Sequence, residues 1–388
     1  MIVLRKRKSR NYLTRAEKTK SVRPKVIKQL KKFTVQMIAG ANVSTVISML
    51  LVGYSDRLNP ADHPLLSTIG MTFPFFLLVN FAFLFFWIIF KWRMIWMSVV
   101  GFVCAYVPIN IYMPLNVKQD VPEGALKLVS YNVCTYGGNY KYEQGFETVL
   151  KYLVDQAPDI ICIQEDVDSW RRYVFQEYKK HWAYNDTMMI ANNPLSLNTL
   201  GIHTRFPIIK RERIKYTSLA NGSVAWWLKV DDDTLVVVNN HFESCHLNRD
   251  DRAQYRQIIK GEMTSDSART ESKLLLIKLA EANATRSNQI RAVLQYVEEN
   301  SRYPIIVCGD FNDNPISYSR HAMAQQLTDC FRETGRGVGL SYNQKAFSFR
   351  IDYIFCSRYL QPYNCKVDDE MDASDHYPML CWLKMTGK

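Results

Sequence analysis

Asn132, Glu165, Asp310, Asn312, Asp352, Asp375 and His376 each stand at or beside the end of a short apolar run. Carboxylate and amide oxygens are the hard ligands that Mg²⁺ prefers, and the ion usually takes one or two of them and fills its other positions with water. Cleaving a phosphate ester needs the same equipment: a cation against the phosphoryl oxygens, a deprotonated water in line with the leaving group, and donors for the charge that develops. A single carboxylate at a strand end is commonly a solvated turn residue. Seven polar residues so placed in one region point instead to a shared pocket.

Several elements must converge to build that pocket. Residues 126–133 (LKLVSYNV) read as a strand, 143–156 as a helix with an apolar stripe, and 159–165 (DIICIQE) as a buried strand ending on a polar pair. TLVVVNNHF (234–242) and PIIVCGDFN (304–312) repeat that design, RIDYIFCS (350–357) is a further strand, and SDHYP (374–378) is a turn before the strand MLCWLKM (379–385). Residues 246–300 carry charge and helix formers and read as two helices with a loop between. The pattern is α/β with mixed sheets whose strand ends meet on one rim.

The ordered set SYNV, IQE, NNHFES, GDFNDNP, RIDYIF and SDHYP resembles the endonuclease/exonuclease/phosphatase (DNase-I-like) superfamily across about residues 124 to 386. That superfamily includes DNase-I-like nucleases, abasic-site endonucleases, neutral sphingomyelinases, inositol polyphosphate 5-phosphatases and tyrosyl-DNA phosphodiesterases. The resemblance implies a four-layer α/β sandwich, two mixed β-sheets face to face with helices outside. It makes Glu165 the principal Mg²⁺ ligand, with Asn132 and Asp375 near the metal and Mn²⁺ as a second ion able to support the reaction. Asp310 is expected to orient or deprotonate the attacking water, and Asn312 to contact the phosphate. His376 is expected to pair with Asp352 and face the phosphoryl group, where a neighbouring carboxylate fixes the imidazole tautomer and favours its charged form. His241 matches the family's second histidine and, with Asn240 beside it and Asn132 near the metal, is expected to touch the substrate; the alternative is a satisfied strand-end histidine.

Other residues carry weaker echoes. His203 in GIHTRFPI takes a position usually filled by a small or apolar residue, Arg205 reads as a solvated loop arginine or a substrate contact, and Arg286 with Gln289 reads as a structural pair. Trp226 and Trp227 occupy consecutive strand positions, so one ring packs in the core while the other is either exposed to lipid or substrate or packed as an anchor. The segment 241–257 begins an insertion after the histidine motif, where loops set substrate choice. NNHFES is also similar to a THLES-like string of the tyrosyl-DNA phosphodiesterase branch, too short a match to assign a branch.

The N-terminal third is a different material. Apolar stretches of about 20 residues occupy 33–55, 68–90 and 94–114, each long enough for a hydrocarbon core of ~30 Å. They imply three transmembrane helices between a basic tail (1–32) and a linker (115–123) that leads to a catalytic domain at 124–388. Asn42 with Gly40 and Gly53 leaves the first stretch open to reading as a buried or interfacial helix. The tail holds 13 Lys or Arg and one acid, which reads as attraction to anionic lipid, as a topology signal, or less readily as nucleic-acid binding. With Lys91 and Arg93 also cytoplasmic, three crossings put the catalytic domain outside the cytoplasm of an inner or plasma membrane. Beyond Cys104, eight cysteines without CxxC pairs or regular spacing suit an oxidising compartment poorly and indicate neither a zinc site nor a disulfide framework; Cys162 and Cys308 read as core hydrophobes.

From residue 120 onward there are 32 basic and 34 acidic residues, a balance of −2, so the net +12 of the whole chain resides in its N-terminal part. A nucleic-acid binding domain normally carries clustered positive charge. The leading expectation is therefore a membrane-anchored phosphoesterase acting on a phosphodiester or phosphomonoester, of a phospholipid or headgroup, by single-step attack of water. A DNA or RNA nuclease is the second reading and a non-catalytic membrane scaffold the third. The partners implied are a phosphate-ester substrate and the lipid bilayer; the sequence indicates no protein partner.

Overall fold

The computed structural model describes residues 15–388 apart from 139–140, 167–170, 192–197, 219, 246–248, 261, 263, 345–346 and 387–388. The first 14 residues of the basic tail and part of the insertion after the histidine motif thus lie outside the described residues. Two compact units divide the chain, one of Met1–Leu50 with Phe75–Cys104 and one of Leu51–Pro74 with Ala105–Lys388.

The helices of the N-terminal third are α1 (Arg15–Gly53), α2 (Phe73–Phe90), α3 (Ile95–Cys104) and α4 (Tyr106–Tyr112). Two helical stretches, Val26–Arg57 and Leu66–Phe90, are long and apolar enough to cross a membrane. The third apolar stretch is not one straight helix: α3 and α4 meet at 64°. Pro108 explains the break, because proline inside a helix has no N–H to give to the carbonyl four residues back and its ring clashes there. Within the smaller unit Asn42 is satisfied by its neighbours, its Oδ1 accepting from Trp87 Nε1 at 2.9 Å and from Ser98 Oγ at 3.1 Å. Hydrogen bonds of this kind link apolar helices where water is absent.

The larger unit continues through β1 (Leu126–Asn132), α5 (Tyr142–Gln156), β2 (Ile160–Asp166), α6 (Arg171–Lys179), β3 (Tyr184–Met189), β4 (Thr199–Thr204), β5 (Ile208–Ile214), β6 (Gly222–Val230) and β7 (Asp233–His241). There follow α7 (Arg249–Lys260), α8 (Ser265–Glu299), β8 (Ile305–Asp310), α9 (Tyr318–Gln326), β9 (Thr328–Asp329), α10 (Cys330–Thr334), β10 (Tyr342–Gln344), β11 (Phe347–Phe349), β12 (Asp352–Cys356), β13 (Leu360–Val367) and β14 (Met379–Met385). One sheet has the order β13-β14-β1-β2-β4-β3 and the other β5-β6-β7-β8-β12-β9. Pairs β1/β2 and β7/β8 are parallel while their neighbours are antiparallel, so both sheets are mixed.

Period-two alternation decides which side chains meet between the sheets. Leu128, Ile160, Cys162, Val237, Ile306, Cys308 and Ile354 share the inter-sheet core. Val129, Ile161 and Ile163 turn outward beneath α5 and α6. Val236, Val238, Ile305 and Val307 do the same beneath α8 and α9. Helix, sheet, sheet and helix make the four layers. The two adjacent tryptophans follow the same rule, and both are buried: Trp226 lies between the sheets and Trp227 under the outer helices, where its Nε1 donates to Tyr296 at 3.0 Å. Neither ring is therefore available to lipid or substrate. Cys162 and Cys308 are fully buried in the core.

Candidate active site

The inward series on each strand ends in a polar side chain at the same edge of the sandwich. On β1 it runs Leu126, Leu128, Ser130, Asn132; on β7 Leu235, Val237, Asn239, His241; on β8 Ile306, Cys308, Asp310; and on β12 Cys356, Ile354, Asp352. Parallel pairing sets His241 beside Asp310, and antiparallel pairing sets Asp352 opposite it. Gly309 permits this register. Its φ is +126°, and a Cβ there would lie 2.0 Å from the Asn240 carbonyl oxygen, so β7 and β8 approach this closely only with glycine.

Glu165 does not follow the alternation, which would point it outward after Ile163. Its φ of +54° and a register shift in the β2/β4 pairing after Ile163 swing the carboxylate back toward the rim. There Asn132 Nδ2 donates to Glu165 Oε1 at 3.1 Å and to Asp310 Oδ2 at 3.0 Å, joining a residue of each sheet. Deeper in the seam Gln164 Nε2 donates to Asn239 Oδ1 at 2.6 Å, again from sheet to sheet.

The two histidines occupy different protonation states. His376 Nδ1 lies 2.9 Å from Asp352 Oδ2, and its Nε2 is 3.6 Å from Asp310 Oδ2. Burial alone would lower its pKa, but the Asp352 and Asp310 carboxylates outweigh burial and hold it at about 10, so the ring is an imidazolium at neutral pH. Burial lowers the pKa of His241 against the opposing pull of Asp310, leaving a neutral ring. Asn198 Nδ2 meets both the Ala220 carbonyl at 3.0 Å and His241 Nδ1 at 2.8 Å. An amide donor there makes Nδ1 the acceptor and leaves the proton on Nε2, which lies 3.7 Å from Glu165 Oε1 and 3.7 Å from Asp310 Oδ2. Burial raises Glu165, and raises Asp310 to about 6 against the nearby His376 charge.

Glu165, His241, Asp310, Asn312, Asp375 and His376 line one pocket of about 290 Å³. Among the described residues two trios bring a ligating atom from each member within 4.8 Å of one another: Glu165 with His241 and Asp310, and Asp310 with Asp352 and His376. Four carboxylates on the pocket wall (Glu165, Asp310, Asp313 and Asp375) against the His376 imidazolium and the Arg286 guanidinium leave negative charge uncompensated, and the donors are hard oxygens. The set fits a divalent cation, and Glu165 with Asp310 and His241 is the trio of ligating atoms that reaches the open pocket.

One expected substrate contact is placed elsewhere. Asn240 points to the other face of β7 and is fully buried; its Nδ2 donates to the Val238 and Cys308 carbonyls at 3.2 and 2.8 Å, and its Oδ1 accepts from Ser223 Oγ at 2.6 Å. Its amide is engaged with these strand neighbours and does not line the pocket. Asn132 is buried beside the pocket, where its Nδ2 bridges the Glu165 and Asp310 carboxylates and its Oδ1 accepts from the Cys134 N–H at 3.0 Å. Asn312 does reach the pocket, with its Nδ2 on the Phe242 carbonyl at 3.0 Å and its N–H on Asp310 Oδ1 at 2.8 Å. His203 stacks on Tyr178 at 3.8 Å between centroids, and Arg205 forms an exposed ion pair with Asp159 at 3.2 Å. Gln289 holds Glu243 through its backbone N–H and its carboxylate, a structural role. Arg286 does both jobs: its Nη1 donates to the Glu243 carbonyl at 2.7 Å while the buried side chain lines the pocket. Asn198, Met71, Leu275 and Leu279 had no motif to announce them.

A family model described as Endonuclease/Exonuclease/phosphatase family matches residues 129–376. The chain belongs to the endonuclease/exonuclease/phosphatase family. Members of this family are metal-dependent phosphoester hydrolases. A second model, a domain of unknown function (DUF8431), matches residues 35–112. No curated protein matches the sequence. Among solved structures the chain is similar to a humanized D. rerio TDP2, at 18% identity over 67% of this chain and 99% of that one, with a TM-score of 0.48. It is similar to the human Nocturnin catalytic domain with bound sulfate at 16% identity, covering 70% and 97%, with a TM-score of 0.48. A Bacteroides vulgatus endonuclease/exonuclease/phosphatase is 14% identical, covering 68% and 100%, with a TM-score of 0.47.

Proposed function

We propose that this family member is a membrane-tethered phosphoesterase that uses Mg²⁺, with Mn²⁺ able to replace it, to hydrolyse a phosphodiester or phosphomonoester of a lipid or lipid headgroup. The observation that carries the reading is the convergence of Glu165, His241, Asp310 and the Asp352–His376 pair at one pocket. A bound cation would neutralise phosphoryl charge and lower the pKa of a water. Asp310, with a pKa of about 6, accepts the proton of the attacking water. The water oxygen bonds to phosphorus, the bond to the leaving oxygen breaks, and that oxygen takes a proton from solvent. The His376 imidazolium and the His241 Nε2–H offer donors to the phosphoryl oxygens as charge develops. Asp352 acts through His376 and is a positioning residue.

Two observations favour a lipid over nucleic acid: the −2 balance beyond residue 120 and the apolar helices of the N-terminal third. That Leu51–Pro74 and Ala105–Lys388 share one compact unit supports a topology in which the end of α1 and the exit from α4 lie on the same side of a bilayer. If α2 leads away from that side, α3 and α4 together lead back. The positive-inside rule then supports an extracytoplasmic catalytic unit.

The full-length protein in nanodiscs, assayed with Mg²⁺ or EDTA against a phospholipid panel, plasmid DNA and single-stranded RNA, tests the proposal. Metal-dependent release of a lipid product that is lost in Glu165→Ala and His376→Ala is the expected result. Hydrolysis confined to nucleic acid, or activity retained in both variants, would overturn it.

A further inference from the structure

The segment joining α1 to α2 is built into the active-site unit. Asn283 Nδ2 of α8 donates to Ser67 Oγ at 3.0 Å, and His321 Nδ1 of α9 lies 3.2 Å from Asp56 Oδ2. Gly70 is seated so closely that a Cβ would come within 1.9 Å of the Ile316 carbonyl oxygen. This contact fixes the next residue, Met71, as part of the wall of the pocket that holds Glu165, Asp310 and His376.

The rest of that wall is apolar too. Leu275 and Leu279 of α8, with Phe349 and Ile351, line the same cavity, so it has a charged floor and a hydrophobic side. The same turn of α8 also presents apolar surface to solvent, with Leu274, Leu276 and Ile277 50%, 45% and 37% exposed. Met71 also lies two residues before Phe73, the start of α2, in the apolar stretch Leu66–Phe90. A pocket for a small hydrophilic phosphate ester has no use for such a wall beside the point where the chain turns apolar.

We infer that Met71, Leu275 and Leu279 form a subsite for the hydrocarbon chain of a membrane lipid whose phosphate sits on the charged floor. The inference rests on the phosphoesterase reading and names its substrate class. It also gives part of the segment 35–112 a role in selecting substrate rather than in tethering alone. The lipid of the bilayer that the chain itself enters is the occupant, reaching the pocket past the exposed apolar turn of α8.

The test uses the full chain in detergent with Mg²⁺ and a series of 4-nitrophenyl alkyl phosphodiesters bearing methyl, butyl or octyl groups. Each methylene moved out of water favours binding, so kcat/KM should rise at least about tenfold from methyl to octyl, through KM. In Met71→Asp and Leu275→Asp the octyl-to-methyl ratio should collapse toward about one, while Met71→Leu keeps it. Partition into micelles is common to all variants and cancels in the comparison. A flat series in the wild type, or a steep series untouched by both aspartates, would refute the subsite and leave the phosphoesterase reading standing. Absence of hydrolysis of every diester and of the lipid panel would instead remove the phosphoesterase reading itself.

Discussion

Asp352→Asn separates the charge of the Asp352–His376 pair from its geometry. The asparagine oxygen can still accept from His376 Nδ1, so orientation and tautomer persist, but the counter-charge is gone. In the wild type the ring is held at about 10 against an ordinary value of 6.5, chiefly because Asp352 and Asp310 outweigh burial. Taking the variant ring back to about 6.5, roughly 3% is protonated at about pH 8, compared with about 99% in the wild type. If the imidazolium stabilises the phosphoryl charge, kcat/KM at about pH 8 should fall roughly 30-fold and the deficit should shrink to less than about twofold near pH 6. The assay is a pH–rate profile on a soluble phosphodiester at saturating Mg²⁺, in which the alkaline limb moves down by several pH units. Stability reports the same pair. A raised folded-state pKa contributes fully below about pH 6.5 and fades as pH climbs to about 10, so the wild-type melting temperature should decline over that window and the variant's should not. A uniform loss of rate at every pH, with the alkaline limb unmoved, would refute the assignment of His376 as the charged donor.

Three further outcomes follow from the site. Glu165→Gln keeps the shape but halves the hard-ligand character, and should weaken Mg²⁺ binding by calorimetry about 10-fold or more while lowering kcat by at least about 10²-fold. Gly309→Ala puts a methyl group against the Asn240 carbonyl at a φ of +126°, and should cost about 3 kcal/mol or more by chemical denaturation. Asn240→Ala should lower stability by about 1–3 kcal/mol through its unsatisfied partners, with KM for substrate unchanged; a raised KM with normal stability would return Asn240 to the pocket.

Alternation made most of the site legible. Once Leu128, Val237, Ile306 and Ile354 are taken as inward, Asn132, His241, Asp310 and Asp352 must share their face, and the motifs name those residues. The same rule excludes Asn240, although adjacency to His241 in NNHFES suggested otherwise. Glu165 shows the opposite case, since its place depends on a positive φ that no periodicity encodes. The bend between α3 and α4 was signalled by Pro108, whereas hydropathy alone read a continuous span. Met71 gave no signal, because its neighbours in the pocket come from α8 and β11, some 200 residues or more along the chain. Burial of Trp227 was decided by the outer helix that covers it, a tertiary fact invisible to a strand pattern.

Asn132, through one amide nitrogen, touches Glu165 on its own sheet and Asp310 on the other. Reactive geometry is thereby tied to the spacing between two slabs whose packing is maintained by Ile306, Cys308 and Ile354, well below the rim. Trimming one of these aliphatic groups leaves every polar residue in place yet lets the slabs settle, so turnover becomes a gauge of how tightly the interior is filled.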